Sequence, residues 1–215
     1  MKIGPGSKLL FIGDSITDCN RAKPVGEGLF NALGTGYVAL VDAHLGACCP
    51  ERRIRVVNMG VSGNTVRNLK HRWATDVLAL RPDWVSIMIG VNDVWRQFDT
   101  PLLTENQVLP DEYAATLEEL VATTKSQVTG LVLLTPFYLE PNRRDRMRAR
   151  LDQYGQIVKR IATKHKTVFC DTQAAFDNVL ETVYPATLGW DRVHPNLTGH
   201  LIIARAFLAA IGFKA

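Results

Sequence analysis

Four short polar segments carry the residues able to do chemistry in this chain. They are Gly13-Asp14-Ser15-Ile16-Thr17, Asn58-Met59-Gly60-Val61-Ser62-Gly63-Asn64, Gly90-Val91-Asn92-Asp93 and Asp191-Arg192-Val193-His194-Pro195. A serine hydroxyl is a poor nucleophile until a base takes its proton. Ser15 follows Gly13, which allows a tight turn, and stands where a helix begins. Its backbone N–H would then point to where an oxyanion could form. A lone Gly-Asp-Ser more often just caps a helix, so the assignment depends on a base elsewhere. His194 is the candidate. It sits in a loop before Pro195, three residues after Asp191. A type-I-like turn there would bring the Asp191 carboxylate to Nδ1 and leave Nε2 for Ser15. The order Ser…Asp…His favours a triad for acyl transfer over an aspartate that only caps its own turn. Acyl transfer also needs donors for the developing negative charge. Ser15, Gly63 and Asn92 can supply them: two backbone N–H groups and one side-chain amide.

The other four histidines are read differently. His44, His71 and His165 fall within helices or at a helix end and are expected at the surface. His200 is expected to be structural. Two further motifs fail. Gly60-Val61-Ser62-Gly63 starts like a nucleophile elbow, but Asn64 stands where that motif needs glycine. The glycines near the N-terminus and at 26–36 do not form a dinucleotide or phosphate-binding loop.

Three of the four segments follow short apolar runs. Strands are predicted at Lys8–Ile12, Ile54–Asn58, Trp84–Ile89, Leu131–Leu134 and Thr167–Cys170. Helices are predicted between them: Tyr37–Ala47, a stretch from Val66 to Leu80, about 110–125, a long helix through Met147, Leu151, Tyr154, Val158 and Ile161, Ala174–Leu180, and Leu197–Ile211. Residues 95–108 read as irregular. This alternation predicts an α/β fold, a doubly wound three-layer αβα sandwich on a five-stranded parallel sheet. Ligands of such sheets lie beyond the carboxyl ends of the strands, where the polar segments fall.

The chain has 215 residues, 47% apolar and 21% charged, with 25 Lys and Arg against 21 Asp and Glu. That length suits one domain over 1–215. The composition excludes disorder. The charge excess is small and scattered. Its one basic run, Arg143–Arg150, reads as a solvated helix face, so no nucleic-acid partner is expected. No apolar run nears the ~20 residues that span a bilayer. The N-terminus also lacks the arrangement of a signal peptide, so no membrane partner is expected and the expected location is cytoplasmic. Cys19, Cys48, Cys49 and Cys170 have no metal-binding spacing and are expected as free thiols. No metal or cofactor is called for.

The four segments, in this order and spacing, resemble the SGNH hydrolases, also known as the GDSL esterase/lipase family. The likeness covers nearly the whole chain, with GDSI where many members read GDSL. It implies a flavodoxin-like fold. It puts the nucleophile on Ser15, the base on His194 with Asp191, and the oxyanion donors on Ser15, Gly63 and Asn92. Within the family, GDSITDC, NMGVSGNTV, IMIGVNDVWRQ, LTPFY, DQYG and WDRVHP are most similar to bacterial acetylxylan esterases. That implies a cytoplasmic homo-oligomer that removes acetyl groups from small acetylated xylo-oligosaccharides. Sugars stack on aromatic faces, so Tyr184 and Trp190, which closely precede Asp191, are candidate walls of the substrate pocket, with plain packing as the competing reading. Asp14 is placed with them as a substrate contact. Trp95 is a further aromatic with no role assigned. The competing readings are a thioesterase or lysophospholipase on the same scaffold, and a non-catalytic flavodoxin-like binding module.

Overall fold

The computed structural model describes residues 1–214. The chain runs β1 (Lys8–Gly13), α1 (Ser15–Asp18), α2 (Tyr37–Cys48), β2 (Arg55–Asn58), α3 (Val66–Asp76), β3 (Trp84–Met88) and α4 (Val91–Asp99). It continues through α5 (Pro110–Lys125), β4 (Gly130–Leu134), α6 (Arg146–His165), β5 (Val168–Cys170), α7 (Thr172–Leu180) and α8 (Leu197–Ala210). The five strands form one parallel sheet in the order β2-β1-β3-β4-β5. α2, α7 and α8 pack together as one layer, and α3, α5 and α6 as the other. β1 and β3 are buried nearly end to end, as strands covered on both faces must be.

Local chemistry starts the helices where side chains can take up free N–H groups. Asp145, Asp171 and Asn196 cap α6, α7 and α8, and Thr65 with Asn68 forms a capping box on α3. Pro110 opens α5, where its missing N–H costs nothing.

Two sequence readings need correction. The segment read as irregular begins within α4, which runs to Asp99. Val91, Val94, Trp95 and Phe98 recur at helical spacing, but the glycine and polar residues before them masked it. The basic run is not one solvated face either. Arg148 is only 1% exposed. Its guanidinium donates to Asp152 and Asp177, each at 2.8 Å, and to the Glu140 carbonyl at 2.6 Å. Position 148 lies on the inward side of α6 beside Met147 and Leu151. Three acceptors there offset the loss of water around the charge.

The sheet order reverses direction between β1 and β3, where β2 lies to one side and β4 to the other. Gly13 pairs in register with Met88, so the segments after these two strands emerge side by side. Ser15 follows the first and Asn92 the second. In open α/β sheets this switch point is where a crevice forms.

Candidate active site

The nucleophile turn depends on a missing side chain. A Cβ at Gly13 would lie 2.3 Å from the Met88 carbonyl and 2.4 Å from the Thr17 hydroxyl, so only glycine lets the chain leave β1 this sharply. Asp14 caps α1 by accepting the Ile16 N–H at 3.0 Å. Ser15 is the first residue of that four-residue helix. Its Oγ lies 2.8 Å from His194 Nε2. His194 Nδ1 lies 2.6 Å from Asp191 Oδ2. Burial of the Asp191 carboxyl raises its pKa. The hydrogen bond from His194 and the N–H groups of His194 and Val193 outweigh that and hold it below the ordinary value. An ionised carboxylate only accepts, so Nδ1 carries the proton and Nε2 faces Ser15 with its lone pair.

The expected turn forms differently. Arg192 has φ 61°, outside a type-I turn. Asp191 Oδ1 closes the loop by accepting the Val193 and His194 N–H groups, at 2.9 and 2.8 Å. The same carboxylate therefore shapes the loop with one oxygen and orients the imidazole with the other.

Ser15, Gly63 and Asn92 carry N–H groups on the three polar segments that follow β1, β2 and β3. Among the described residues, the N–H groups of Ser15 and Gly63 have no protein acceptor. Gly63 has φ 80° and open space where a Cβ would be. The Asn92 amide gives one hydrogen to the Asn64 carbonyl at 3.0 Å, which aims the group and leaves its second hydrogen free.

Residues that sequence reasoning left aside hold these segments together. Asn58, fully buried, donates to the Thr17 and Leu33 carbonyls and accepts the Gly60 N–H. Asp18 accepts the N–H and hydroxyl of Ser62, next to Gly63. Arg72 reaches the carbonyls of Gly13 and Met59 and the Asn64 side chain. Of these, only Asn58 lies within one of the four polar segments.

Asp14 needs correction as a substrate contact. It is 1% exposed, and its side chain faces inward to cap α1. Burial pushes its pKa up to about 7. Asp93 is the matching group after β3. Its pKa is also pushed up to about 7 by burial, while its Oδ1 accepts the Val66 N–H at 2.9 Å. Tyr184 and Trp190 are 72% and 89% exposed and line a cleft of about 430 Å³ with Arg192 and Glu140. The aromatic ring against the base is Trp95, with its centroid 5.8 Å from that of His194.

A carboxylate-oriented histidine facing a serine at the switch point of a parallel sheet is the arrangement of a serine hydrolase. The chain belongs to the GDSL-like Lipase/Acylhydrolase family, whose sequence model matches residues 11–202. It is 64% identical to an acetylxylan esterase of Geobacillus stearothermophilus over 214 residues, covering 100% of this chain and 98% of that one. Its fold matches the crystal structure of a catalytic mutant of such an enzyme from the same organism, S15A, with a TM-score of 0.99 and 63% identity, covering 100% of this chain and 98% of that one. It also matches an alpha/beta hydrolase enzyme from the metagenome of Lake Arreo, Spain, with a TM-score of 0.97 and 59% identity, covering 99% of this chain and 98% of that one. Among the described residues, no helix is long and apolar enough to cross a membrane.

Proposed function

We propose that this protein is a serine esterase that removes acetyl groups from acetylated xylo-oligosaccharides. His194 Nε2 takes the Ser15 proton as Oγ attacks the acetyl carbonyl carbon. The carbonyl oxygen gains the negative charge and is held by the Ser15 and Gly63 N–H groups and the Asn92 amide. The intermediate collapses, the bond to the sugar oxygen breaks, and that oxygen takes the proton from Nε2. A water molecule then gives a proton to His194 and attacks the acetyl-enzyme, releasing acetate and returning the proton to Ser15.

The observation that carries this reading is the relay Asp191–His194–Ser15, with links of 2.6 and 2.8 Å, while the Ser15 and Gly63 N–H groups have no protein acceptor among the described residues. The acetyl and xylosyl preference is supported by the likeness to acetylxylan esterases over the full chain. Acetate release from acetylated xylo-oligosaccharides, measured beside a long-chain ester and an acyl thioester, tests it. We expect the sugar acetate to be preferred. A preference for acyl chains of about eight carbons or more, or for the thioester, overturns the acetyl assignment. Ser15→Ala is expected to lower kcat on the order of 10⁶. If it keeps wild-type turnover of an activated acetate ester, the mechanism is wrong.

A further inference from the structure

The reaction itself sets where the departing sugar must lie. Its oxygen has to sit within hydrogen-bond reach of His194 Nε2 when the ester bond breaks. The acyl group is held toward Gly63 and Asn92, so the sugar extends along the imidazole and whatever flanks it. Trp95 flanks it, with the two rings tilted by 59°. Trp95 also forms one wall of an open cleft of about 420 Å³, shared with Phe98, Tyr138, Asp145 and Arg146.

Both walls of this cleft are tied to the catalytic groups. Trp95 stands on α4 three residues after Asn92. Tyr138 lies on the segment after β4, where the next residue, Leu139, donates its N–H to the Arg192 carbonyl at 2.9 Å. Arg192 lies between Asp191 and His194 in the chain, so Tyr138 and the base loop are held in register. The chemistry of the lining suits a sugar. Pyranose rings present C–H groups that seek the negative face of an aromatic ring. Half-buried Trp95, Phe98 and Tyr138 offer such rings. Sugar hydroxyls need acceptors and donors at the rim. Asp145 caps α6 with Oδ1 alone, and among the described residues its Oδ2 has no partner. Arg146 is exposed beside it.

We propose that the xylosyl chain of the leaving alcohol binds in the cleft between Trp95 and Tyr138, and not against Tyr184 and Trp190. This rests on the esterase reading and assigns its leaving-group site. What separates the two clefts is the ring contact with the base: Trp95 stands 5.8 Å from His194, while Trp190 is almost fully exposed in the cleft it lines with Tyr184, Arg192 and Glu140.

The test uses xylotriose, a product-like sugar without an acetyl group, as a competitive inhibitor of 4-nitrophenyl acetate hydrolysis. Its inhibition constant reads sugar binding apart from any change in kcat. Trp95→Ala and Tyr138→Ala are each expected to raise that constant about tenfold, the equivalent of about 1.4 kcal/mol. Trp95→Phe, which keeps a ring face, is expected to recover most of the loss. Trp95→Leu and Tyr138→Leu carry the same test if the alanine variants do not fold. An inhibition constant that responds to Trp190→Ala and not to Tyr138→Ala overturns the proposal. So does one that responds to none of the three. A wild-type protein that releases no acetate from acetylated xylo-oligosaccharides is a different failure, that of the esterase reading itself.

Discussion

The molecule holds two pairs of nucleophile and histidine close together. Ser15 faces His194 at 2.8 Å, and four residues along the chain Cys19 faces His200 at 3.3 Å. What differs is the group behind each ring. Behind His194 stands the Asp191 carboxylate, which takes the Nδ1 proton and turns a lone pair toward the nucleophile. Behind His200 stands the Tyr37 N–H, which donates to Nδ1 at 3.2 Å. That bond puts the ring proton on Nε2, so His200 faces Cys19 as a donor and cannot take its proton. The thiol instead donates to the Ile16 carbonyl at 3.4 Å. Burial strengthens the contrast. It pushes the Cys19 thiol up to about 12, with the Asp18 and Asp14 carboxyls adding to the shift. It pushes His200 down to about 4, with the His194 charge adding to it. Cysteine is intrinsically the better nucleophile, yet here it is held inert. A histidine beside a nucleophile is a base only when an acceptor, not a donor, holds its far nitrogen.

Changing the group behind the ring should have the largest effect. Asp191→Asn replaces the acceptor with an amide that can donate to Nδ1, putting His194 in the state of His200. Turnover of an acetate ester is expected to fall about 10⁴-fold. If activity stays within tenfold of wild type, the orienting role of Asp191 is disproved. Next come the proposed oxyanion donors. Asn92→Ala is expected to lower kcat by about 10²–10³ with little change in KM. A loss confined to KM would show ordinary substrate binding instead.

The third effect is on stability. The unfolded chain protonates His200 near its ordinary 6.5, but the folded protein resists until about 4. Stability from this residue is therefore intact above pH 6.5 and lost as pH falls toward 4. The buried carboxyls Asp14 and Asp93, both pushed up to about 7, act with the opposite sign. They favour the folded state at low pH and lose that advantage as pH rises through 7. Only a difference isolates the histidine. Thermal melts of His200→Asn, whose Oδ1 can still accept the Tyr37 N–H, should lose less stability than wild type between pH 6.5 and 4. Equal losses would contradict a neutral His200. The smallest effect is chemical. Iodoacetamide at pH 8 should label exposed Cys48 and spare Cys19, leaving esterase activity in place. Rapid labelling of Cys19 would erase the contrast between the two pairs.

Much of this was legible along the chain, and the failures share a cause. All five strands were read to within a residue or so, because strands covered on both faces appear as unbroken apolar runs. The helix at 110–125 announced itself through Pro110. α4 did not, because its first turn carries Asn92 and Asp93 and resembles a loop. Arg148 was misread because an arginine among arginines looks solvated. Its burial depends on Asp152, Asp177 and the Glu140 carbonyl, and two of these lie eight or more residues away.

The sequence by itself determined the class of chemistry. Ser15, Asp191 and His194 are singled out by their types and their flanking glycine and proline, and the proposed donors Gly63 and Asn92 by their places after strands. Those signals are local, since tight turns and strand ends impose their own residue types. Only the tertiary structure decided how the surrounding groups are placed around that chemistry. It turned Asp14 inward, made His200 a donor, and set Trp95 against the base while leaving Trp190 in solvent. Each of these depends on which atom packs behind another across long stretches of chain. Desolvation and hydrogen-bond direction are fixed by that arrangement and leave no mark on local sequence.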